Sequence, residues 1–197
     1  YSIHQLNVVG YHIVNLIVHL SSAILLWWLV SLTFLTPVIK QEKIAQQAAK
    51  LISLFIALVF LTHPIQTQGV TYIFQRSVSL ATLFCLASLS YYVKFRLLQN
   101  EKSAPSSRIF YYSASLASVL LAMFTKEMAI TLPLIICLYE FSFFKTKKNF
   151  NYKPLIPFLA TISVIPLTML ATKSVLTLKD TWQVTEETLA ISPWHYL

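Results

Sequence analysis

Glycine is almost missing from this chain: Gly10 and Gly69 are the two among 197 residues. Neither a Walker A loop nor a GxGxxG turn can be built from them, since both need several glycines close together so that the backbone can wrap a phosphate. Nucleotide and dinucleotide readings therefore find no support. Charge is scarce as well, at 11 % Asp, Glu, Lys and Arg against about 25 % in soluble domains. Aspartate occurs once, as Asp180. The two cysteines, Cys85 and Cys137, fall inside apolar segments, where a thiol acts as a small hydrophobe, and they carry no information on redox compartment. The N-terminus YSIHQLNVVGYHIVNL lacks an initiator Met, a basic n-region and a small-residue cleavage site, so it does not read as a signal peptide. With the end at SPWHYL, the expectation is an internal fragment of a longer polytopic protein.

What is present is apolar, with 56 % hydrophobic residues and a mean hydropathy of +0.66, the composition of a membrane protein. The net charge of +8 does not point to nucleic acid, because the basic residues sit in short clusters between apolar segments and not along one face. Such clusters read as topology signals.

Six apolar segments can be drawn, at approximately 11–36, 47–62, 77–95, 109–125, 128–144 and 154–173, against the roughly 17–25 residues that span a bilayer. Taken as one helix, 109–144 would be about 54 Å long, far beyond a hydrocarbon core of about 30 Å. Lys126 and Glu127 therefore mark a tight turn between two helices. The expected fold is all-α, a polytopic transmembrane helix bundle of about six helices, with 1–197 forming a single membrane domain fragment that ends in a tail at 174–197.

Alternate connections are basic. Lys40, Glu42, Lys43 and Lys50 carry +2, Lys94, Arg96, Glu101, Lys102 and Arg108 carry +3, and Lys145, Lys147, Lys148 and Lys153 carry +4. The others are near neutral, so the positive-inside rule assigns the basic set to the cytoplasm. His63–Arg76, the Lys126 turn and the tail then share the outer side, periplasmic in a bacterial inner membrane or lumenal in an ER membrane. On that side Arg76 and Lys126 can converge, and converging cations at a membrane surface suit a phosphate.

In the first segment His12, Asn15, His19 and Ser22 lie within about 80° of arc on a helix. This stripe reads as packing against neighbouring helices; for zinc, His12 and His19 lack a third ligand nearby. Trp27 and Trp28 read as packing too. In LTHPIQTQGVTYIFQRSVSL, Pro64 suits a first helical turn, with Thr62 or His63 as cap and Thr the better one. A helix over 65–95 would measure about 46 Å, so its first turns should lie at the outer surface or dip back against the other helices. On it Gln68, Tyr72, Gln75, Arg76 and Ser79 form one stripe, which equally fits an interfacial helix whose Arg snorkels to headgroups. Lys126 beside Glu127 fits a solvated pair, although an ionisable group at membrane depth points to function. Glu140 is read as a structural contact, the lysines after it being its nearest partners in sequence. Pro157 and Pro166 should kink the sixth helix.

NVVGYHIVNLIVHLSSAILLWWL, LTHPIQTQGVTYIFQRSVSLATLFCLASL and FTKEMAITLPLIICLYE together resemble consecutive parts of the GT-C class of polytopic glycosyltransferases, in particular the tetratricopeptide-bearing O-mannosyltransferases of animals and their bacterial relatives. The tail ISPWHYL resembles the start of the next helix in those proteins. The resemblance implies transfer of a sugar from a polyprenyl-phosphate donor to a hydroxyl on a protein or glycan acceptor, at the outer or lumenal face. It also implies a catalytic Asp in an outer loop upstream of Tyr1 and a C-terminal tetratricopeptide region. Arg76 and Lys126 are the expected donor-phosphate residues, with His63, Gln66, Tyr72, Gln75 and Glu127 as supporting polar groups. Gln68 and Gly69 stand where relatives often have Glu and Ala. No residue here is assigned to a metal, and participation of a divalent metal stays open. Two other classes remain: a non-enzymatic anchor for a tetratricopeptide scaffold, and a polysaccharide transport or polymerisation protein.

Overall fold

A computed structural model describes residues 8–41, 43–71, 75–100, 104–144, 153–168 and 170. The expected tail 174–197, Tyr72 and the lysines at 145, 147 and 148 lie outside them. The described residues contain helices and no strand, as expected for an all-α chain. They form α1 (Val8–Thr33), α2 (Lys43–Thr62), α3 (Thr67–Thr71), α4 (Arg76–Asn100), α5 (Pro105–Thr125), α6 (Leu132–Phe143) and α7 (Ile156–Thr161).

Helix α1 shows why this chain suits a bilayer. Asn15, Val18, Ser22, Leu29 and Leu32 are buried along one face, while Ile13, Ile17, Leu20 and Ile24 are exposed on the other. A helix that is apolar all round belongs in lipid or in a large core. Among the described residues three helices are long and apolar enough to cross a membrane: Gly10–Thr33, Arg76–Gln99 and Pro105–Thr125. The expected six are not all of this length. Helix α6 has 12 residues, about 18 Å, because its expected first turn is instead a 3₁₀ helix, Glu127–Thr131, ahead of Pro133. The sixth segment breaks after Thr161 into a turn and a further helical piece at 164–168. Pro166 accounts for the break, since its ring clashes with the carbonyl four residues back and it has no N–H to donate.

Helix α4 is central, packed on α5 along one side and on α1 along the other. Small residues allow the close approach to α5: Ser88 Oγ donates to Ser115 O at 3.1 Å and Ser115 Oγ donates back to Ser88 O at 2.8 Å. Such reciprocal hydroxyl bonds hold helices together where burial in lipid supplies no drive. Toward α1, Trp28 meets Tyr91 edge to face at 5.7 Å between centroids. Trp27, expected to pack, is 44 % exposed on the other face.

At the far end of α4 the bundle holds a buried ion pair. Arg96 Nη2 lies 2.5 Å from Glu140 Oε1 and Arg96 Nε donates to Glu140 Oε2 at 2.9 Å, with Tyr92 OH donating to the same oxygen at 3.0 Å. Glu140 is 1 % and Arg96 7 % exposed. The guanidinium also sits over the Phe144 ring at 5.3 Å. Glu140 thus takes its partners from α4, because α6 faces α4 through the core and presents its buried positions Leu132, Ile136 and Glu140 there.

Candidate functional site

The expected single helix over 65–95 is not formed. Helix α2 ends before Pro64, since a residue preceding proline is pushed out of the helical region, and His63 has φ −65° and ψ 128°. His63 Nδ1 accepts from Ile65 N–H at 3.2 Å, capping the 3₁₀ turn Pro64–Gln66. Thr62, the better cap by preference, instead donates to Leu58 O. The chain then runs through α3 and turns back into α4. In one straight helix Gly69 and Ser79 would lie about 15 Å apart along the axis, yet Ser79 Oγ donates to Gly69 O at 3.2 Å. Glycine permits the approach: a Cβ there would stand 3.2 Å from the Ser79 hydroxyl.

This fold-back creates a polar cavity of about 180 Å³. The second half of the His12–Ser22 stripe supplies His19 and Ser22, the 3₁₀ turn supplies Gln66, Gln75 stands just before α4, and α4 supplies Ser79 and Thr82, with Phe60 as an aromatic wall. His19 is held in place, its Nε2 at 3.2 Å from Leu61 O in the last turn of α2 and its ring 5.3 Å from that of Phe60. The Gln66 and Gln75 amides make no side-chain hydrogen bond among the described residues. Amide, hydroxyl and imidazole groups donate and accept without a fixed charge, and beside an aromatic face they suit a ligand rich in hydroxyls.

A second cavity of about 360 Å³ adjoins the first. It runs between α4 and the 3₁₀–α6 segment and is apolar, walled by Ala81, Cys85, Leu86, Leu89, Leu132 and Ile135, with Lys126 also in its lining. Val78 and Thr82 line both cavities. Lys126 leaves α5 in an extended conformation, φ −154° and ψ 135°, its N–H still bonded to Ala122 O at 3.0 Å. Its ammonium makes no ion pair or hydrogen bond among the described residues, and Glu127 beside it is exposed.

The expected residues are distributed as follows. Gln66 and Gln75 meet in the polar cavity, by the fold-back and not by helical periodicity. Lys126 enters the apolar one. Arg76 opens α4 at the same end of the bundle, exposed, with its guanidinium over the Tyr11 ring at 5.6 Å; it lines neither cavity. His63 caps the 3₁₀ turn and Glu127 is exposed, and neither lines a cavity. Tyr72 lies outside the described residues. His19, Ser22 and Thr82 were not among the expected ligands, although the polar stripe of α1 carried the signal for the first two. Among the described residues no carboxylate lines either cavity.

No protein-family model matches the chain, and no solved structure matches it. It is similar to a protein O-mannosyl-transferase of Caenorhabditis elegans, 24 % identical over 156 residues. The match covers 76 % of this chain and 19 % of that protein's length. The similarity is distant and glycosyltransferase-like, and the three long apolar helices fit a membrane protein.

Proposed function

We propose that the chain is part of a membrane glycosyltransferase that moves a sugar from a polyprenyl-phosphate donor to an acceptor hydroxyl, at the outer or lumenal face, where α4 begins and α5 ends. The observation that carries this reading is the pair of adjoining cavities with Val78 and Thr82 as common wall. The polar one fits the sugar, the apolar one fits the first isoprene units, and the phosphate between them falls within the field of Lys126 and Arg76. In the reaction the bond from the anomeric carbon to the phosphate oxygen breaks and a bond to the acceptor oxygen forms. The acceptor proton passes to a carboxylate outside this chain, and the lipid phosphate leaves with the electron pair. Charge grows on that phosphate, where preorganised cations help most.

The test is transfer by the intact protein from synthetic polyprenyl-phosphate monosaccharides. Lys126→Ala should lower the rate about 10²–10³-fold, as for loss of one electrostatic stabiliser, and Arg76→Ala, outside both cavities, should lower it less, each with normal insertion. Unchanged transfer in both variants would overturn the assignment of the phosphate site.

A further inference from the structure

The opposite end of the bundle holds a third cavity, of about 340 Å³, unused by this chemistry. Phe95 near the end of α4, Pro105, Arg108, Ile109 and Tyr112 from the first turns of α5, and Pro154 form its walls. The walls are preformed: the Phe95 and Tyr112 rings stand 5.0 Å apart and Tyr112 OH donates to Pro154 O at 3.1 Å. At this volume it falls at the small end of ligand-holding pockets, roughly 300–1,000 Å³. It takes part of an apolar chain and not a whole lipid.

Arg108 gives the cavity its selectivity. The residue is part-exposed, and its guanidinium makes no hydrogen bond or ion pair among the described residues, which leaves it open to an anionic headgroup at the rim. One feature adds positive potential: Pro105 and Arg108 belong to the first turn of a 21-residue helix, so the positive end of its dipole lies at this wall.

We infer that this cavity binds an anionic phospholipid, with the start of one acyl chain against Phe95, Ile109 and Pro154 and the headgroup phosphate accepting from Arg108. A zwitterionic lipid brings its own cation beside the phosphate, and that cation meets the Arg108 guanidinium as a like charge. Anionic lipids are enriched in the leaflet that basic connections face, and this end carries them. The inference goes beyond the transferase reading and does not depend on it.

Native mass spectrometry of the intact protein, released from nanodiscs of phosphatidylcholine mixed with phosphatidylglycerol, tests it. The expected result is preferential retention of phosphatidylglycerol, weakened about tenfold in Arg108→Gln, as for loss of one charge-assisted contact. Melting adds a readout that a purely structural arginine would not give: Arg108→Gln should melt like the parent in phosphatidylcholine and lose only the upward shift that phosphatidylglycerol confers. Should Arg108→Gln fail to insert, Ile109→Trp, an exposed wall position, should block the groove and abolish the preference with Arg108 intact. Equal retention of both lipids, or a preference unchanged in the inserted variants, would overturn the proposal. So would displacement of the lipid by glycerol phosphate, which would mark a site for soluble phosphates.

Discussion

Where α4 finishes, Arg96 and Glu140 are buried against each other, with Tyr92 on the same carboxylate and Phe144 beneath the guanidinium. Where α4 begins, Lys126 has no partner among the described residues, Arg76 rests on Tyr11, and the Gln66 and Gln75 amides stay open. The helices differ in the same way, regular around the ion pair and broken into 3₁₀ turns and short pieces around the two cavities. Internally matched charge is a fastener; charge left unmatched beside a cavity is available to a ligand. The ion pair holds helices together, whereas the unmatched groups where α4 begins are open to a ligand.

That contrast can be broken by mutation. Glu140→Gln should be the most damaging change, because it strands a buried guanidinium; a loss of about 3–5 kcal/mol is expected, read as melting temperature in detergent. Pairing Arg96→Met with Glu140→Leu should recover most of it, since apolar replacement of both partners is often neutral. A mild single variant would mean that water reaches the pair. Lys126→Ala, expected to suppress transfer, should move stability by no more than about 0.5 kcal/mol. A larger drop would give it the same holding role as Arg96. Ser115→Ala should cost about 0.6 kcal/mol, the typical value for a hydrogen bond between membrane helices, without changing transfer, because the Ser88–Ser115 bonds lie in the α4–α5 seam and line neither cavity.

Much of the fold was legible. The apolar lengths of α1, α4 and α5 follow from composition alone, and Lys126–Glu127 marked the α5–α6 turn. The polar stripe of α1 was also visible from spacing, and its buried members Asn15 and Ser22 lie where it indicated. What failed was the helix over 65–95. Helical periodicity placed Gln75, Arg76 and Ser79 on one stripe, but the fold-back puts Gln75 and Ser79 opposite Gln66 and Gly69 and leaves Arg76 outside the cavity. Of the two caps that the spacing offered, His63 takes the place and Thr62 does not. Glu140 had lysines near it in sequence, whereas its described partners lie 44 and 48 residues earlier on α4.

The sequence by itself determined that this chain is helical, apolar enough for a membrane, and basic in alternate connections, because helix length, hydropathy and charge clustering are properties of short windows. Only the tertiary structure decided which cation is fastened and which is free, and that two short elements around Gly69 close a polar cavity against α1. Both depend on which faces of distant helices meet, and no local pattern records that.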